Sequence, residues 1–595
     1  MVFSLVVIGI VAVVAYVWSA RGFFSAFLHM AATVCAGAIA FGLWEPVTYL
    51  ILNQLKGTEI VTDNAWAIGL GGTFAVALAA LTLAQVALVR ANAHIDSVPN
   101  LIGGAACGAV SGTIAAGVMA ISLSYVRANS DFLGFQPHAY DRGSGAIVRQ
   151  SELMFPVDRL VAGLYGRLSE TTLRTGTPLA AWQPIAADQG HLVRTGPQQT
   201  TLKVVAFPGD VQIAGRYTVG EQTDVPLKDL LTDTFDERVQ KAKLLDGSDA
   251  PAGVKHQIEG YVLALGPGLR EKGGQIVFGT GHVTLLARNA EDTKTEAFFP
   301  FALVSQAQGD SRQLGRWRYD GSDVYIASVG GASDQPMAFE FLMPKGYVPQ
   351  ALVVKNLRLS LIDPTTETTI AARERFAAVS DRDDSIRSRD LFTSIMSEPT
   401  LTKDGATTIQ TGGNTFESAI RPTNRLRVQL NKATAGSRGL SLGEKNRIQD
   451  GEAQFRPNEL LQRGTDKALL VETLEVDNTT GIMQVDVGSK SPMSLLSSET
   501  ESASGAPTLV DELGQRYQAI GFVYKDSASV QVRYTPGRPI AGIADLPSLS
   551  RSRTDQELTL IFKISLGVKI KSYAVGTSVI AELSPPISID APQNR

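Results

Sequence analysis

The run LIGGAACGAVSGTIAAGVMAISLSYV, residues 101–126, contains no Asp, Glu, Lys or Arg. A helix crosses a bilayer with about 17–25 apolar residues, and this run is long enough. Three more uncharged apolar stretches precede it, at residues 3–18, 23–44 and 66–89, the first of them marginal in length. Four in succession, separated by short polar loops, read as membrane helices rather than as buried helices of a soluble core. No comparable stretch follows residue 126. The expected architecture is therefore a four-helix transmembrane bundle carrying a large soluble body.

Composition sets further limits. A chain of 595 residues is too long for one core, so several units are expected. The net charge of −4 gives no basic field for nucleic acid. Both cysteines, Cys35 and Cys107, fall inside apolar stretches. The body thus has no disulfide and no cysteine-based metal site. The N-terminus lacks a positive region before its apolar run, and Trp18-Ser19-Ala20-Arg21 fits a cleavage site poorly. The first stretch is expected to remain as an anchor.

Four crossings place both ends of the membrane unit on one side. Arg21 and Arg90 lie in the first and third loops, while Lys56 lies in the second. The positive-inside rule then puts the body outside, in the periplasm of a bacterial inner-membrane protein, although Arg127 and Arg142 pull the other way. Gly104, Gly108 and Gly112 form a smooth stripe, and Ala32, Ala36 and Ala40 repeat the spacing. Such stripes let helices approach closely, either within one chain or in a homo-oligomer. His29 is the one titratable group of the charged or imidazole kind in these stretches, near the cytoplasmic end. That argues against an ion-coupled pump and leaves a passive pore open.

The order of features resembles the colicin V production protein (CvpA) family of four-helix inner-membrane proteins. The residues concerned are Arg21-Gly22-Phe23-Phe24, Trp44-Glu45-Pro46, the polar loop Asn92-Ala-His-Ile-Asp96, and Ile102-Gly103-Gly104 leading into the glycine-rich helix. The resemblance covers residues 1–126 only. Family members often carry an Asp-Arg pair before that last helix, where this chain has Val98-Pro99-Asn100, so no role of that pair carries over. The resemblance implies an accessory envelope role associated with toxin production and secretion. In some members it also implies an outward-facing domain, including a trypsin-like protease.

The body divides by texture. Residues 127–199 read as a juxtamembrane linker with an amphipathic helix opened by Pro156. Val157, Leu160, Val161, Leu164 and Leu168 recur there at helical spacing. That helix packs on the following domain or lies along the membrane surface. Residues 200–362 and 467–584 read as two all-β, immunoglobulin-like sandwiches, with strands at 202–207, 257–265 and 275–286 in the first. Their similarity rests on an internal repeat. Asp334-Gln335 precedes Met337, Phe339, Phe341 and Met343, then Gly346; Asp555-Gln556 precedes Leu558, Leu560, Phe562 and Ile564, then Gly567. Period-two alternation puts the four apolar side chains of each run on one face of a strand. Leu509-Val-Asp511-Glu-Leu-Gly514-Gln-Arg-Tyr517 reads as strand–turn–strand. Residues 363–466 read as a helical connector at 365–396 followed by a loop-rich segment, and 585–595 as a flexible tail.

Chemistry is hard to find. Gly309-Asp310-Ser311 resembles the start of a serine-protease turn, but Arg312 and Gln313 follow where small residues would build an oxyanion hole. His138, His191, His256 and His282 have no nucleophile or acid at a diagnostic spacing. The acidic cluster at 381–384 lacks calcium-loop spacing. No catalytic, cofactor-binding or metal residue is expected, and no cofactor. The expected function is non-enzymatic: presentation of periplasmic β domains to an envelope protein or glycan, by a protein whose other partners are the lipid bilayer and further copies of itself. A channel or export accessory, or a membrane-anchored hydrolase, is the alternative.

Overall fold

The computed structural model describes residues 2–55, 59–89, 96–126, 133–141, 146–195, 203–219, 256–271, 276–290, 294–306, 314–318, 325–326, 335–361, 401–403, 405–411, 419–460, 467–476, 480–496, 505–512 and 516–593. Four helices are long and apolar enough to cross a membrane: α1 (Val2–Arg21), α2 (Phe23–Gln54), α3 (Ala65–Leu88) and α4 (Ser97–Ser124). They form a row more than a closed bundle. α4 packs between α1 and α2, and α3 lies along the far flank of α2. Over residues 73–88 of α3 only Phe74 is buried, so most of the apolar surface of that stretch faces outward. α3 also carries a π-helical turn at Ile68–Gly72, near its start.

The glycine stripe closes onto α1 of the same chain. A Cβ on Gly108 would lie 2.9 Å from the Ala15 Cα, and one on Gly112 would lie 3.0 Å from the Val11 Cα. On Gly104 it would lie 2.8 Å from the Trp18 carbonyl oxygen. The stripe thus serves packing inside the protomer, and its surface is not available to another copy. Ala36 and Ala40 are fully buried in the core shared by α2, α3 and α4, whereas Ala32 stays half-exposed.

Beyond the helices, a short hairpin (His138–Asp141 with Ala146–Arg149) leads to α5 (Val157–Glu170). Two four-residue helices follow, α6 (Leu179–Trp182) and α7 (Gln189–Leu192). Residues 203–207, expected as a strand, instead run as an unpaired strap with Val204 and Val205 buried in the core that joins helices and body. The apolar run there serves burial without a strand partner.

The first β unit comprises β1 (Val211–Val219), β2 (His256–Leu265), β3 (Val283–Asn289), β4 (Thr295–Phe298), β5 (Ala302–Gln306), β6 (Leu314–Arg318), β7 (Gln335–Pro344), β8 (Tyr347–Val354) and β9 (Leu357–Ser360). Its strands pair as β1-β2-β7-β5-β6 and β9-β8-β3-β4, all antiparallel. The sheets share a core in which Leu263 and Phe339 of one meet Leu285 and Leu352 of the other. The repeat residues Met337, Phe339, Phe341 and Met343 are all fully buried in it.

The second unit contains β10 (Thr407–Gln410), β11 (Ile420–Arg421), β12 (Arg425–Asn431), β13 (Leu440–Leu442), β14 (Ile448–Phe455), β15 (Leu470–Thr473), β16 (Thr480–Asp486), β17 (Pro507–Asp511), β18 (Arg516–Gln518), β19 (Gly521–Lys525), β20 (Val530–Tyr534), β21 (Glu557–Ser565), β22 (Ile570–Val575) and β23 (Ser578–Ile587). The sheets run β11-β16-β21-β19-β20-β14-β13 and β10-β23-β22-β17-β18. With β13, β14, β10 and the separate β12–β15 pair set aside, each strand of the first unit has a counterpart here in the same position and the same chain order. The repeat strands β7 and β21 occupy the equivalent central position. The glycines after them, Gly346 and Gly567, have φ of 100° and 79°, a conformation glycine adopts without strain.

Two boundary expectations need correction. The segment at 397–465, read as loop-rich, carries β10–β14 and a short helix. Its apolar residues, including Leu426, Val428, Leu430 and Phe455, bury Ile482, Val523 and Ile561 on the outer face of the larger sheet. Polar residues dominate because these strands are exposed on one side, as in β12, whose burial alternates. The tail, read as flexible, is tied down: Ile589 is buried, and the Gln593 side chain accepts from the Ile482 N–H (2.7 Å) and donates to its carbonyl (3.0 Å). The connector at 365–396 and Gly309-Asp310-Ser311 lie outside the described residues.

Candidate functional site at the membrane junction

The first β unit is seated on the membrane helices through polar contacts that cross more than 300 residues of sequence. Glu45 stands on α2, one residue beyond Trp44. Its two carboxylate oxygens accept from Nε (2.8 Å) and Nη2 (3.0 Å) of Arg358 on β9. Tyr49, one turn further on, donates its hydroxyl to Glu45 (2.9 Å) and accepts the Arg358 backbone N–H (3.0 Å). A two-pronged guanidinium–carboxylate pair fixes orientation as well as distance.

Beside it the β8–β9 turn, Lys355-Asn356, is driven into the helical layer. Both residues have positive φ, 46° and 68°, as a tight two-residue hairpin requires. The Lys355 N–H donates to the His282 carbonyl (2.6 Å), and the Gln189 side chain donates to Asn356 (3.3 Å). His282 is fully enclosed. Its Nδ1 accepts the Gly279 N–H (2.9 Å), which leaves Nε2 to donate to the Val193 carbonyl (2.8 Å). Burial, with Lys355 nearby, holds its pKa well below the ordinary imidazole value, so the ring is neutral. It is a pin between β unit and helices. Lys355 itself is fully buried, 3.8 Å from Glu271, and its Nζ makes no hydrogen bond among the described residues. Burial lowers its pKa to about 8 against the opposing pull of Glu271.

A second polar cluster closes the layer below. Arg149 donates Nη2 to both oxygens of Asp188 at 2.9 Å, and His138 lies 3.9 Å from the same carboxylate. Burial lowers the His138 pKa, partly offset by Asp188. Arg194 donates to the Val126 carbonyl (2.7 Å) just past the end of α4, where a cation suits the helix dipole. His191, half-buried, stands edge-to-face against Phe135, and desolvation with Arg194 nearby holds its pKa well below the ordinary imidazole value. Among the described residues no group of three His, Cys, Asp or Glu side chains is placed to hold a metal ion.

Aromatic rings mark the same level. The Trp44 indole donates to the Trp66 carbonyl (2.9 Å) and meets Trp66, Tyr125 and Trp182 edge-on at 5.3–6.0 Å. A cleft of about 390 Å³ opens separately on the second unit. Glu452, Tyr524, Asp526, Gln531, Asp545 and Ser548 line it.

Of the histidines singled out in the sequence, His138, His191 and His282 therefore join the junction as structural groups, and His256 begins β2. Glu45 figured only in the Trp44-Glu45-Pro46 motif, with no role given to it, and Arg358 and Lys355 were not singled out. Only the pattern of Lys-Asn between two apolar runs signalled a tight turn, and nothing local signalled what the turn would touch. No family model, curated protein or solved structure matches the chain.

Proposed function

We propose that the chain is a non-enzymatic membrane protein that holds the first of two β units at a fixed attitude above the bilayer of a bacterial envelope, on the periplasmic side. The observation that carries this reading is the Glu45–Arg358 pair with its Tyr49 brace. A domain on a loose tether needs no such clamp, whereas one that must face a partner at set height and angle does. The resemblance of residues 1–126 to the CvpA family agrees with an envelope role. The immunoglobulin-like character of the β units suits recognition through sheet edges and loops. The cleft on the second unit offers carboxylates, an amide and hydroxyls, groups that pair with a hydroxyl-rich glycan or a polar protein loop.

Protease treatment of intact spheroplasts tests the reading. Digestion of the C-terminal body without lysis, with a cytoplasmic control protected, is the expected result. Protection of the body until lysis overturns periplasmic display.

A further inference from the structure

Where α5 ends, a second cleft of about 550 Å³ opens between the α5–α6 turn and the underside of the first β unit. Arg174 on the turn, Arg288 on β3 and Arg358 on β9 line it, with Thr175, Thr177 and Gln350. One acidic residue, Glu170, shares the lining. Arg358 is engaged by Glu45, but Arg174 is exposed and forms no ion pair among the described residues. We propose that this cleft binds a phosphate group, supplied by the headgroup of an anionic lipid in the body-side leaflet.

Three observations fix its height. A hydrocarbon core of roughly 30 Å takes about 20 residues of α2, from Phe23 to near residue 42. Glu45 then lies about 4.5 Å further along the helix axis, in the headgroup layer, and Arg358 touches it. The Trp44, Trp66, Tyr125 and Trp182 rings gather at the same level, where amphipathic aromatics settle in membranes, and Ala181 of the cleft adjoins Trp182.

The third observation is α5 itself. The Tyr165 hydroxyl donates to the Val34 carbonyl (3.0 Å), and a Cβ on Gly117 would collide with Val161. Val34 and Gly117 lie inside membrane spans, so α5 packs at leaflet depth. Its other face exposes Leu160 at 51 % and Leu164 at 39 %, with Met154 just before it at 67 %, beside the exposed Arg159 and Arg167. On such a mixed face the leucines meet acyl chains while the arginines extend to the headgroups, which keeps the residues after Glu170 among the phosphates. Guanidinium groups from three separate elements then surround a space of headgroup size, and arginine matches phosphate geometry with paired N–H donors.

The proposal rests on membrane insertion but not on what the β units recognise, so its failure and that of the display reading are separable. The test uses the full chain in detergent micelles, with labelled phosphatidylglycerol, phosphatidylcholine and inorganic phosphate as probes. Wild type should prefer phosphatidylglycerol. The double variant Arg174→Gln/Arg288→Gln should lose about 30-fold in affinity, taking each juxtamembrane arginine at its usual worth. Lys569→Gln/Lys571→Gln, an equal loss of exposed charge on the second unit, should change nothing. Arg358 is left in place because it clamps the fold, and an unchanged melting temperature certifies that the double variant is intact. Equal binding of the two lipids, or full affinity in an intact double variant, overturns the proposal. If inorganic phosphate binds as tightly as the lipid through Arg174 and Arg288, the site serves a soluble anion and the lipid assignment falls.

Discussion

Lys355 shows what a single side chain can cost a junction. Its folded pKa of about 8 lies below the unfolded value of 10.5, so its charge opposes folding at neutral pH. Stability should rise as pH climbs from about 8 to about 10.5, by on the order of 3 kcal/mol in full. Thermal unfolding of the full chain across that range should show the rise, and Lys355→Met should abolish it. The neutral imidazoles of His282 and His191 act at the other end. Their folded values lie well below the unfolded 6.5, so the stability they contribute is present above about pH 6.5 and is lost as pH falls beneath it. The clamp can be weighed in the same way. In a double-mutant cycle of Glu45→Gln and Arg358→Met, unfolding free energies should couple by about 1–3 kcal/mol. Coupling near zero would make the pair ornamental. The roles of Lys355, Glu45 and Arg358 were not legible beforehand, because each acquires its role from partners tens or hundreds of positions away. Glu45 stood only as part of the helix-end motif Trp44-Glu45-Pro46, and no motif marked Arg358.

At the scale of elements, the sequence spoke more clearly. Membrane helices are announced by composition alone, and the four observed spans differ from the apolar runs mainly by extending past them into polar residues. α2 continues to Gln54, ten residues beyond the apolar limit, and that extension carries Glu45 and Tyr49 into the junction. The glycine stripe on α4 was legible as a packing face, but the helix it packs on was not. Gly108→Val should therefore push α1 away and lower stability by about 1–3 kcal/mol, read as a fall in melting temperature. Gly42→Ala, where no atom lies within 4 Å of the added Cβ, should be neutral or raise stability by up to about 1 kcal/mol. Equal effects at the two sites would contradict the close α1–α4 approach. The β12–β14 segment escaped the sequence reading because one-sided strands on a covered sheet carry many polar residues such as Arg and Gln, and their few apolar residues are spread thinly.

Across the whole molecule, the two β units differ in independence. The cores of the second draw only on residues 409–589, whereas the first leans on Tyr49, His282 pins it to the end of α7, and Asn356 accepts from Gln189 of α7. A fragment of residues 401–595 should unfold in one cooperative step, while 203–361 alone should melt well below its counterpart in the full chain. Calorimetry of both fragments checks this, and a non-cooperative 401–595 fragment would count against it. The period-two repeat had pointed to a pair of related units, and the common strand order extends that likeness to the whole frame. The chain between equivalent strands is longest at the same place in both units: residues 220–255 between β1 and β2, and residues 422–479 between β11 and β16, where the second unit inserts β12–β15. One blueprint is built twice along the chain, and a single corner of it is where the two copies part company.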